Sequence, residues 1–548
     1  MRRMRLSALL LLIMSTQAGT MLAQQVRGSV KDSARAAPIA GAVVILLDSL
    51  GRTVGRSTTD QQGSYRVTAR DARRIRVLRI GFRPQERALP SAAEPVDVTL
   101  ASIPLLLGEV HVNAPASCPA RSDRTAALAL LEQVRAGLLS TIVARSQNRA
   151  TMTLLVFDRR FEGGSERILS QSVRTTTGIA STEPFVAGRS TADFIRYGFR
   201  DDVAGSQTFF GPDAQTLIDD TFATGYCFHV MEPEHARPHQ IGLGFEAAQR
   251  KDGKIDIAGA LWVDTLARAL KMLEFRYVGL DRSVSALRPG GTVTFSEVSN
   301  GVVLIDRWSL RLIAGRAESG GMTLSSTGEV SGGRTSRLNV QETGGELARA
   351  AWPGGDSFVA PLGTLRIHVV ARNGDRAPAG TTVRLVDTDY EGIADSTGTI
   401  EIADLLPGPY TISIVDSTLS TLGIPLVTAS RIVAMRDSTM DMRLEMERAE
   451  DFVAKRCQRD ERITGNAWVL GRVVTSNGAP VRDAEWKIRD PYGSSLVEGK
   501  VGSDGVFQWC QLPLSKTIEI EVWKGERRLK ETRVLVGRLA TFRFELPP

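Results

Sequence analysis

Cysteine and histidine are both scarce in this sequence, with four and five residues among 548. The cysteines Cys118, Cys227, Cys457 and Cys510 are far apart, so no two of them form the Cys-x-x-Cys unit of a structural zinc site. The even number instead predicts disulfides in an oxidising compartment, and four cysteines allow three pairings. We favour Cys118–Cys227 and Cys457–Cys510, because each pair stays within or beside one predicted domain. Free buried thiols are the alternative.

The few histidines limit metal chemistry. His229, His235 and His239 lie near Glu232 and Glu234. The His229/Glu232 pair has the His-x-x-Glu spacing of zinc carboxypeptidases, which makes a zinc metallopeptidase one alternative function. The stretch is nevertheless Pro-rich and lies in a β-rich region, without a third ligand or a catalytic Glu on a mixed α/β sheet. We therefore predict a solvated loop, no metal, no cofactor and no catalytic residue.

Other chemical motifs are weak as well. Asp201-Asp202 and Asp219-Asp220 have neither EF-hand spacing nor a glycosidase scaffold around them, so they are predicted as turn and helix-start acids. Gly290-Gly291 lacks the strand, Gly-rich loop and helix of a phosphate-binding loop. The sequence contains no Gly-x-Ser-x-Gly nucleophile elbow. Aromatic residues that are candidates for a sugar-binding platform are predicted to pack in cores: Trp262, Tyr277, Trp308, Trp468, Trp486, Trp509 and Trp523.

Long apolar runs are confined to the N-terminus. Arg2, Arg3 and Arg5 precede the apolar run 6–14, which is too short to span a bilayer, so residues 1–23 are predicted to be a signal peptide. No later run is interpreted as a transmembrane helix. The net charge of +7 comes from basic residues spread along the chain, which indicates solubility rather than nucleic-acid binding. The protein is therefore expected to be exported, to the periplasm, the outer-membrane surface or the outside, and at most peripheral to the outer membrane.

A recurring turn is the most informative feature that is present. In residues 57–67 an alternating strand ends in a polar turn and a second strand begins. Asp bonds its own backbone locally and Gly reaches positive φ, so both are turn residues. The pattern returns at 395–400 and 502–507, and a Pro-Gly-x-Tyr turn follows the second copy. The predicted structural turns contain Asp60, Gly63, Gly398, Pro407, Gly408, Asp504 and Gly505.

These segments carry a resemblance to a known family. Val-Arg-Gly-Ser-Val at 26–30, Pro-Ile-Ala-Gly-Ala-Val-Val at 38–44, Thr-Asp-Gln-Gln-Gly-Ser-Tyr at 59–65 and Ile-Gly-Phe at 80–82 resemble the carboxypeptidase regulatory-like domain. That domain is a transthyretin-like, carbohydrate-binding-like β-sandwich. Leu-Gly-Glu-Val-His-Val at 107–112 is similar to the exit segment after this domain in bacterial outer-membrane receptors. The resemblance implies a non-catalytic accessory module, with carbohydrate as the ligand class.

The predicted fold class is mainly β and multidomain: transthyretin-like sandwiches plus a larger curved antiparallel sheet with one or two helices, at 125–139 and 212–222. Asn300-Gly301 predicts a hairpin within that sheet. The predicted segments are a signal peptide (1–23), a first sandwich (24–114), a middle domain (115–350), a linker (351–361), a second sandwich (362–447), a charged linker or short helix (448–465) and a third sandwich (466–548).

The predicted function is non-enzymatic binding or scaffolding in the cell envelope. The expected partner is a carbohydrate, or an envelope protein or peptide that adds a strand to a sandwich edge. No nucleic acid is expected. Besides the metallopeptidase, the alternative is a component related to TonB-dependent receptors, favoured by the N-terminal module and its exit segment. A receptor barrel, however, needs on the order of 22 long strands, and two soluble-looking modules occupy the C-terminal part of the chain.

Overall fold

A computed structural model describes residues 24–90, 94–103, 118, 123–147, 150–162, 165, 167–179, 189–203, 206–249, 252–298, 301–317, 330–331, 335–371, 381–424, 430–457, 467–512, 517–535 and 539–546. The predicted signal peptide, the exit segment 107–112, Asn300 and residues 458–465 lie outside these ranges. The described part confirms the predicted mainly β, multidomain fold class: several small sheets, one large antiparallel sheet and few helices.

The first sandwich has seven strands in two sheets. One sheet has the order β4-β1-β7 and the other β3-β2-β5-β6. The first strand is antiparallel to the fourth and parallel to the seventh. Inward-facing apolar residues of both sheets, such as Val26, Val44 and Ile75, share one core. The strands are β1 (Gln24–Asp32), β2 (Val43–Leu47), β3 (Thr53–Thr58), β4 (Ser64–Ala69), β5 (Arg74–Leu78), β6 (Gln85–Ala88) and β7 (Val98–Leu100).

The middle of the chain forms a ten-stranded antiparallel sheet, here called the central sheet. Its order is β12-β13-β14-β15-β16-β17-β19-β8-β9, and β20 pairs with β19. A separate three-stranded sheet has the order β10-β11-β18. The elements are α1 (Arg124–Gln147), β8 (Thr151–Phe161), β9 (Ile168–Gly178), α2 (Thr191–Tyr197), β10 (Arg200–Val203), β11 (Ser206–Phe209), α3 (Ala214–Ile218), α4 (Asp220–Gly225), β12 (Tyr226–Met231), β13 (Gln240–Ala247), β14 (Asp256–Asp264), β15 (Ala269–Val278), α5 (Arg282–Ser285), β16 (Gly290–Glu297), β17 (Val303–Ala317), β18 (Val330–Ser331), β19 (Thr335–Ala351) and β20 (Ser357–Val359).

The last two sandwiches repeat the strand order of the first. Numbered within each unit, one sheet is 4-1-7, the other is 3-2-5-6, and the first and seventh strands are parallel. The elements are β21 (Gly363–Ala371), β22 (Thr382–Leu385), β23 (Glu391–Ile393), β24 (Thr399–Leu405), β25 (Gly408–Val415), α6 (Ser417–Thr421), β26 (Ser430–Ala434), β27 (Thr439–Met446), α7 (Ala449–Cys457), β28 (Ala467–Thr475), β29 (Glu485–Arg489), β30 (Ser495–Lys500), β31 (Val506–Leu512), β32 (Thr517–Lys524), β33 (Arg527–Leu535) and β34 (Leu539–Leu546).

The continuous apolar strand β2 explains how the first sandwich joins the rest of the molecule. Val44 and Leu46 point into the sandwich core. Val43, Ile45 and Leu47 belong instead to the core that α1 and the central sheet share. All five residues of the strand are buried, which is typical of a strand covered on both faces. The corresponding strand β22 alternates between buried and less buried residues, so its outer face stays accessible.

Helix α1 corrects the expectation that no run after the signal peptide could cross a membrane. By length and composition alone, Arg124–Ser146 is long and apolar enough to do so, and it is the one such helix in the part of the chain that the structure describes. Of its most apolar stretch, 78% is buried inside the fold. Core helices pass the same test, so the finding is weak evidence for a membrane span.

Several boundaries differ from the sequence prediction. The helix expected at 212–222 is two short helices, because Asp213 caps α3 and Asp219 then caps α4 with a new start. Pro212 precedes the first cap instead of occupying the first turn. Helix α1 continues to Gln147, and four shorter helices join it, against the one or two expected. The expected linker 351–361 contains β20, which extends the central sheet.

Candidate functional site

The first predicted turn is held by its own side chains. Asp60 accepts hydrogen bonds from the backbone N–H groups of Gln62 and Ser64 at 3.0 and 2.8 Å. Gly63 has a φ of 70°. A Cβ atom there would lie 2.5 Å from the carbonyl oxygen of Val30, which accounts for glycine at this position. Asp60 and Gly63 therefore shape a turn.

The second sandwich repeats the device. Asp395 accepts from the backbone N–H groups of Thr397 and Thr399 at 2.7 and 3.0 Å. The hydrogen bond from the Thr397 hydroxyl, together with these N–H groups, lowers the pKa of Asp395. Gly398 takes a φ of 78°. The Oδ1 atom of Asp395 therefore accepts the hydrogen bonds that hold this turn.

The third sandwich uses a shifted version. Gly502, not Asp504, holds the place of the capping aspartate, because its N–H donates to Val506 O at 2.9 Å, as Asp60 N–H does to Ser64 O. Asp504 accepts instead from the Val506 N–H at 3.1 Å and pairs with Arg456 at 3.0 Å. Gly505 has a φ of 77°. The motif is therefore conserved in shape although its carboxylate has moved by two positions.

Pro407 and Gly408 lie at the junction between the second sandwich and the central sheet. Arg159 donates to Pro407 O at 3.0 Å and to Gln171 Oε1 at 2.9 Å. A Cβ atom on Gly408 would lie 2.7 Å from Gln171 Nε2, so glycine permits this close approach. Glu342 lies 3.5 Å from the Arg159 guanidinium. Burial lowers the pKa of Arg159, and the Glu342 charge opposes that shift. The turn thus also serves as an interface.

Sequence reasoning missed this buried arginine, although strand alternation contains a signal. Leu155, Phe157 and Phe161 share a face of β8, and the period of two places Arg159 on the same face. An arginine on an apolar face indicates a partner from another element. Two further ion pairs close the junction, Arg436–Glu346 at 2.7 Å and Arg349–Asp404 at 2.7 Å.

The edge of the central sheet is also fixed to the second sandwich. Asp389 N–H donates to Val173 O at 2.9 Å, and Val173 N–H donates to Asp387 O at 3.3 Å. The Asp389 carboxylate accepts from the Thr175 N–H at 2.8 Å. The turn between β22 and β23 therefore covers part of β9.

Polar contacts surround the apolar contact that joins the first sandwich to α1 and the central sheet. Arg79 donates to both carboxylate oxygens of Glu297 at 2.8 and 2.9 Å. Gln133 of α1 is buried and accepts from the Gly81 N–H at 2.7 Å. A Cβ atom on Gly137 would lie 2.8 Å from Ile80, so the helix and the sandwich are in close contact.

Both disulfides that we favour are formed in the structure. Cys118 is bonded to Cys227 of β12, and Cys457 of α7 to Cys510 of β31. The second disulfide lies in an apolar cluster that joins α6, α7 and the third sandwich. Two disulfides are typical of a protein that folds in an oxidising, extracytoplasmic compartment.

The three histidines lie on two different segments: His229 on β12, and His235 and His239 in the turns that precede β13. The predicted loop is wrong for His229, which lies on strand β12 because it pairs with Gly244 of β13. A Cβ atom on Gly244 would lie 2.4 Å from the His229 ring. His239 supplies its carbonyl oxygen to Thr265. Among the described residues, no three His, Cys, Asp or Glu side chains are grouped so that they could hold a metal ion.

The paired acids occupy caps and ion pairs. Asp201 pairs with Arg189, and Asp202 pairs with Arg200 at 2.8 Å. Asp219 accepts from the Thr221 N–H at 2.7 Å as an N-cap. Asp220 pairs with Arg135 of α1 at 2.8 Å. Gly290 packs against the Phe275 carbonyl oxygen within a strand.

The aromatic residues are mostly internal. Trp262 is fully buried and donates to Glu274 at 2.7 Å, while Tyr277 is buried and donates to Phe210 O at 2.8 Å. Trp486 is buried and stacks on Phe507, with ring centroids 5.4 Å apart. The remaining tryptophans of the candidate platform are half-buried: Trp308, Trp468, Trp509 and Trp523.

One open groove of about 750 Å³ lies at an end of the first sandwich, between the turn after β2 and the loop between β4 and β5. We call it the arginine groove, and its polar lining includes Asp48, Arg52, Thr68, Arg70, Asp71 and Arg73. The Asp48 carboxylate pairs with Arg52 at 2.7 Å and accepts from the Arg52 N–H at 2.9 Å. That backbone hydrogen bond, with the Arg52 charge, lowers the pKa of Asp48. No sequence motif pointed to this groove, although 70–74 reads Arg-Asp-Ala-Arg-Arg.

The arginine groove belongs to an unusually basic unit, which corrects the expectation of evenly spread charge. Residues 25–101 contain thirteen Arg and Lys residues against seven Asp and Glu, while the whole chain has a net charge of +7. Residues 362–447 contain seven basic and twelve acidic residues. The positive charge of the chain is therefore concentrated in the first sandwich.

Comparison with known proteins identifies the class of the first sandwich. Residues 25–101 match the family model of the carboxypeptidase regulatory-like domain. The first sandwich is one such domain, as the motifs at 26–30, 38–44 and 59–65 predict. The match does not extend to the other two sandwiches, although they have the same strand order. No curated protein matches the chain.

Several solved structures of bacterial proteins are distantly similar. The TIE protein of Bacillus anthracis is 11% identical, with a TM-score of 0.16, and the match covers 72% of this chain and 83% of that one. The minor pilin of Streptococcus agalactiae is 12% identical, with a TM-score of 0.14, over 34% of this chain and 95% of that one. A shaft pilin of Lactobacillus rhamnosus GG is 7% identical, with a TM-score of 0.15, over 34% and 98%. At these TM-scores the likeness supports no argument about function.

Proposed function

We propose that this protein is a non-enzymatic, extracytoplasmic binding and scaffolding protein of the cell envelope, built from three copies of one sandwich module on a central sheet. The observation that carries the proposal is the way the modules are joined. The first shares a core with α1, the second shares a core with β8 and β9, and the third is connected through a disulfide-bonded cluster. Such junctions hold binding surfaces at fixed positions, as a scaffold requires.

The proposal that the second and third sandwiches are copies of the first is supported by three shared features. All have the same strand order in both sheets. All place a glycine of positive φ, namely Gly63, Gly398 or Gly505, directly before the fourth strand. In each, that glycine accepts a hydrogen bond from the first strand, at 2.8, 3.0 and 2.8 Å. Carbohydrate or an envelope protein remains the proposed partner class.

The test uses the oxidised mature chain, beginning at residue 24. It is applied to a glycan array, and in parallel it is immobilised and incubated with solubilised envelope proteins. We expect saturable binding to a glycan or to a defined envelope protein, together with no hydrolysis of peptide or glycan substrates. In cells, the chain should be recovered outside the cytoplasm without detergent.

Two results would replace the proposal by an alternative. Bound zinc with peptide hydrolysis, both lost in His229→Ala and in Glu232→Ala but retained in His368→Ala, would indicate the metallopeptidase. Detergent-dependent extraction together with heat-modifiable migration would indicate the component related to outer-membrane receptors. If the mature chain binds neither glycan nor envelope protein, the binding role is wrong.

A further inference from the structure

We propose that the arginine groove of the first sandwich binds an anionic saccharide through carboxylate or phosphate groups on the sugar. The inference rests on the proposed binding function and assigns it a site and a ligand class. The groove is open to solvent, so it can accept part of a longer chain.

Two guanidinium groups in the groove are available for an anion. Arg70 and Arg73 are exposed, and in the described part of the chain neither side chain has a hydrogen-bond or ion-pair partner. Arg52 is already paired with Asp48. Arginine matches carboxylate and phosphate oxygens with two parallel N–H donors, so the two free groups favour these anions over neutral ligands.

The other polar groups of the groove favour a saccharide over a bare anion. Asp71 is exposed and lies between the two arginines in sequence, and Thr68 and Ser49 add hydroxyl groups. A carboxylate repels an isolated anion, but it accepts hydrogen bonds from sugar hydroxyls. Among the residues that the structure describes, no aromatic ring lines the groove, and the apolar lining consists of Val54 and Ala69. Recognition there depends on charge and hydrogen bonds.

The equivalent end of the second sandwich is used differently. There the turn between β22 and β23 lies against β9, with the Asp389 N–H donating to Val173 O. That sandwich is also acidic rather than basic in composition. The turn after the second strand is therefore an internal contact in the second sandwich, whereas in the first sandwich it lines an open groove. This difference leaves that end of the first sandwich accessible to a ligand.

Isothermal titration of the oxidised mature chain tests the proposal with four probes. These are a tetrasaccharide of uronic acid, a phosphorylated tetrasaccharide, a neutral tetrasaccharide and inorganic phosphate. We expect at least one anionic tetrasaccharide to bind, and to bind more weakly as salt is raised. The double variant Arg70→Glu with Arg73→Glu should weaken that binding by at least about tenfold, because two charge-assisted contacts are reversed.

A matched control is provided by Lys31→Glu with Arg35→Glu. Both residues are exposed, and they lie in the same sandwich near the Asp60–Gly63 turn, at the other end of β4 from the groove. The charge change is the same, so a non-specific electrostatic effect would weaken binding equally in both variants and would overturn the proposal. Equal binding of the neutral tetrasaccharide, or of inorganic phosphate alone, would also overturn it.

Failure of the inference can be distinguished from failure of the proposed function. If the array or the envelope extract yields a partner that the Arg70→Glu, Arg73→Glu variant still binds, the scaffold function stands and the groove assignment is wrong. Circular dichroism and thermal unfolding of both double variants establish that each one is folded. Arg70 and Arg73 are both exposed, so neither substitution removes a buried contact.

Discussion

Gly63 shows how a single residue can be fixed by two separate constraints. Its φ of 70° disfavours any L side chain, and an added Cβ atom would lie 2.5 Å from Val30 O. We expect Gly63→Ala to lower the free energy of unfolding by about 2–4 kcal/mol, because left-handed backbone and steric overlap both contribute. Urea unfolding followed by tryptophan fluorescence and circular dichroism measures the change.

Gly478→Ala separates the two contributions. Gly478 has a φ of 84°, but nothing lies within 4 Å of the position of its Cβ atom. This variant should lose only the backbone part, about 1–2 kcal/mol. If Gly63→Ala and Gly478→Ala lose the same free energy, the close approach to Val30 has no energetic importance.

At the scale of one element, β2 connects two cores. Ile45 faces α1 and the central sheet, while Val44 faces the core of the sandwich. We expect Ile45→Ala to cost about 2–4 kcal/mol of stability by leaving a cavity at the junction. It should also raise amide hydrogen exchange in the middle of α1, around Val134 and Leu138, which share this core.

Two controls test whether the effect belongs to the junction. Val44→Ala removes buried volume from the other face and should leave exchange in α1 close to the wild-type rate. Arg384→Ala alters the corresponding outward position of β22, where Arg384 is exposed and pairs with exposed Glu391. It should change stability by no more than about 1 kcal/mol. Equal protection of α1 in all three variants would contradict the shared core.

At the scale of the whole molecule, buried tyrosines should limit stability at high pH. Burial raises the pKa of Tyr65, Tyr277 and Tyr390. It also raises the pKa of Tyr226, and the adjacent Asp256 carboxylate adds to that shift. In the unfolded chain these phenols lose their protons near pH 10, whereas in the folded chain they keep them. Stability should therefore be intact below about pH 10 and fall as pH rises further.

Urea unfolding between pH 8 and pH 11 checks this expectation. The fall above about pH 10 should be smaller in Tyr277→Phe, because one buried phenol that must ionise on unfolding has been removed. Tyr492→Phe, at a ring that is 94% exposed, serves as the comparison. A stability that is constant to pH 11, or identical slopes in all three proteins, would contradict the prediction.

Much of the fold could be predicted because its signals are local. Alternation identified the long strands of the central sheet, and the Asp60–Gly63 pattern identified the turns, since an aspartate bonds its own backbone whatever lies beyond. The apolar period predicts helix α1 but not its end at Gln147, and it does not predict that 212–222 divides into two helices. The break between α3 and α4 depends on the N-cap at Asp219. An aspartate within a helical pattern cannot be identified as a cap from the sequence alone.

The functional surfaces could be predicted less well, because they depend on contacts between distant segments. Arg159 contacts Pro407, in the turn between β24 and β25, and Glu342 of β19. Nothing near Arg159 in sequence indicates these partners. The arginine groove requires the turn after β2 and the loop after β4 to meet at one end of the sandwich. The sequence therefore does not predict that Arg70 and Arg73 line one groove with the turn after β2.

The sequence by itself determined the class of the first module, the mainly β character and the positions of the turns, because family motifs, strand period and turn chemistry act over a few residues. Only the tertiary structure decided which face of each sandwich is covered, and hence which surfaces remain for a ligand. The run at 43–47 is apolar throughout, whereas β22 alternates between buried and less buried residues. In the structure, α1 covers the outer face of β2, while the outer face of β22 is open to solvent. This difference follows from packing between parts of the chain that are far apart in sequence.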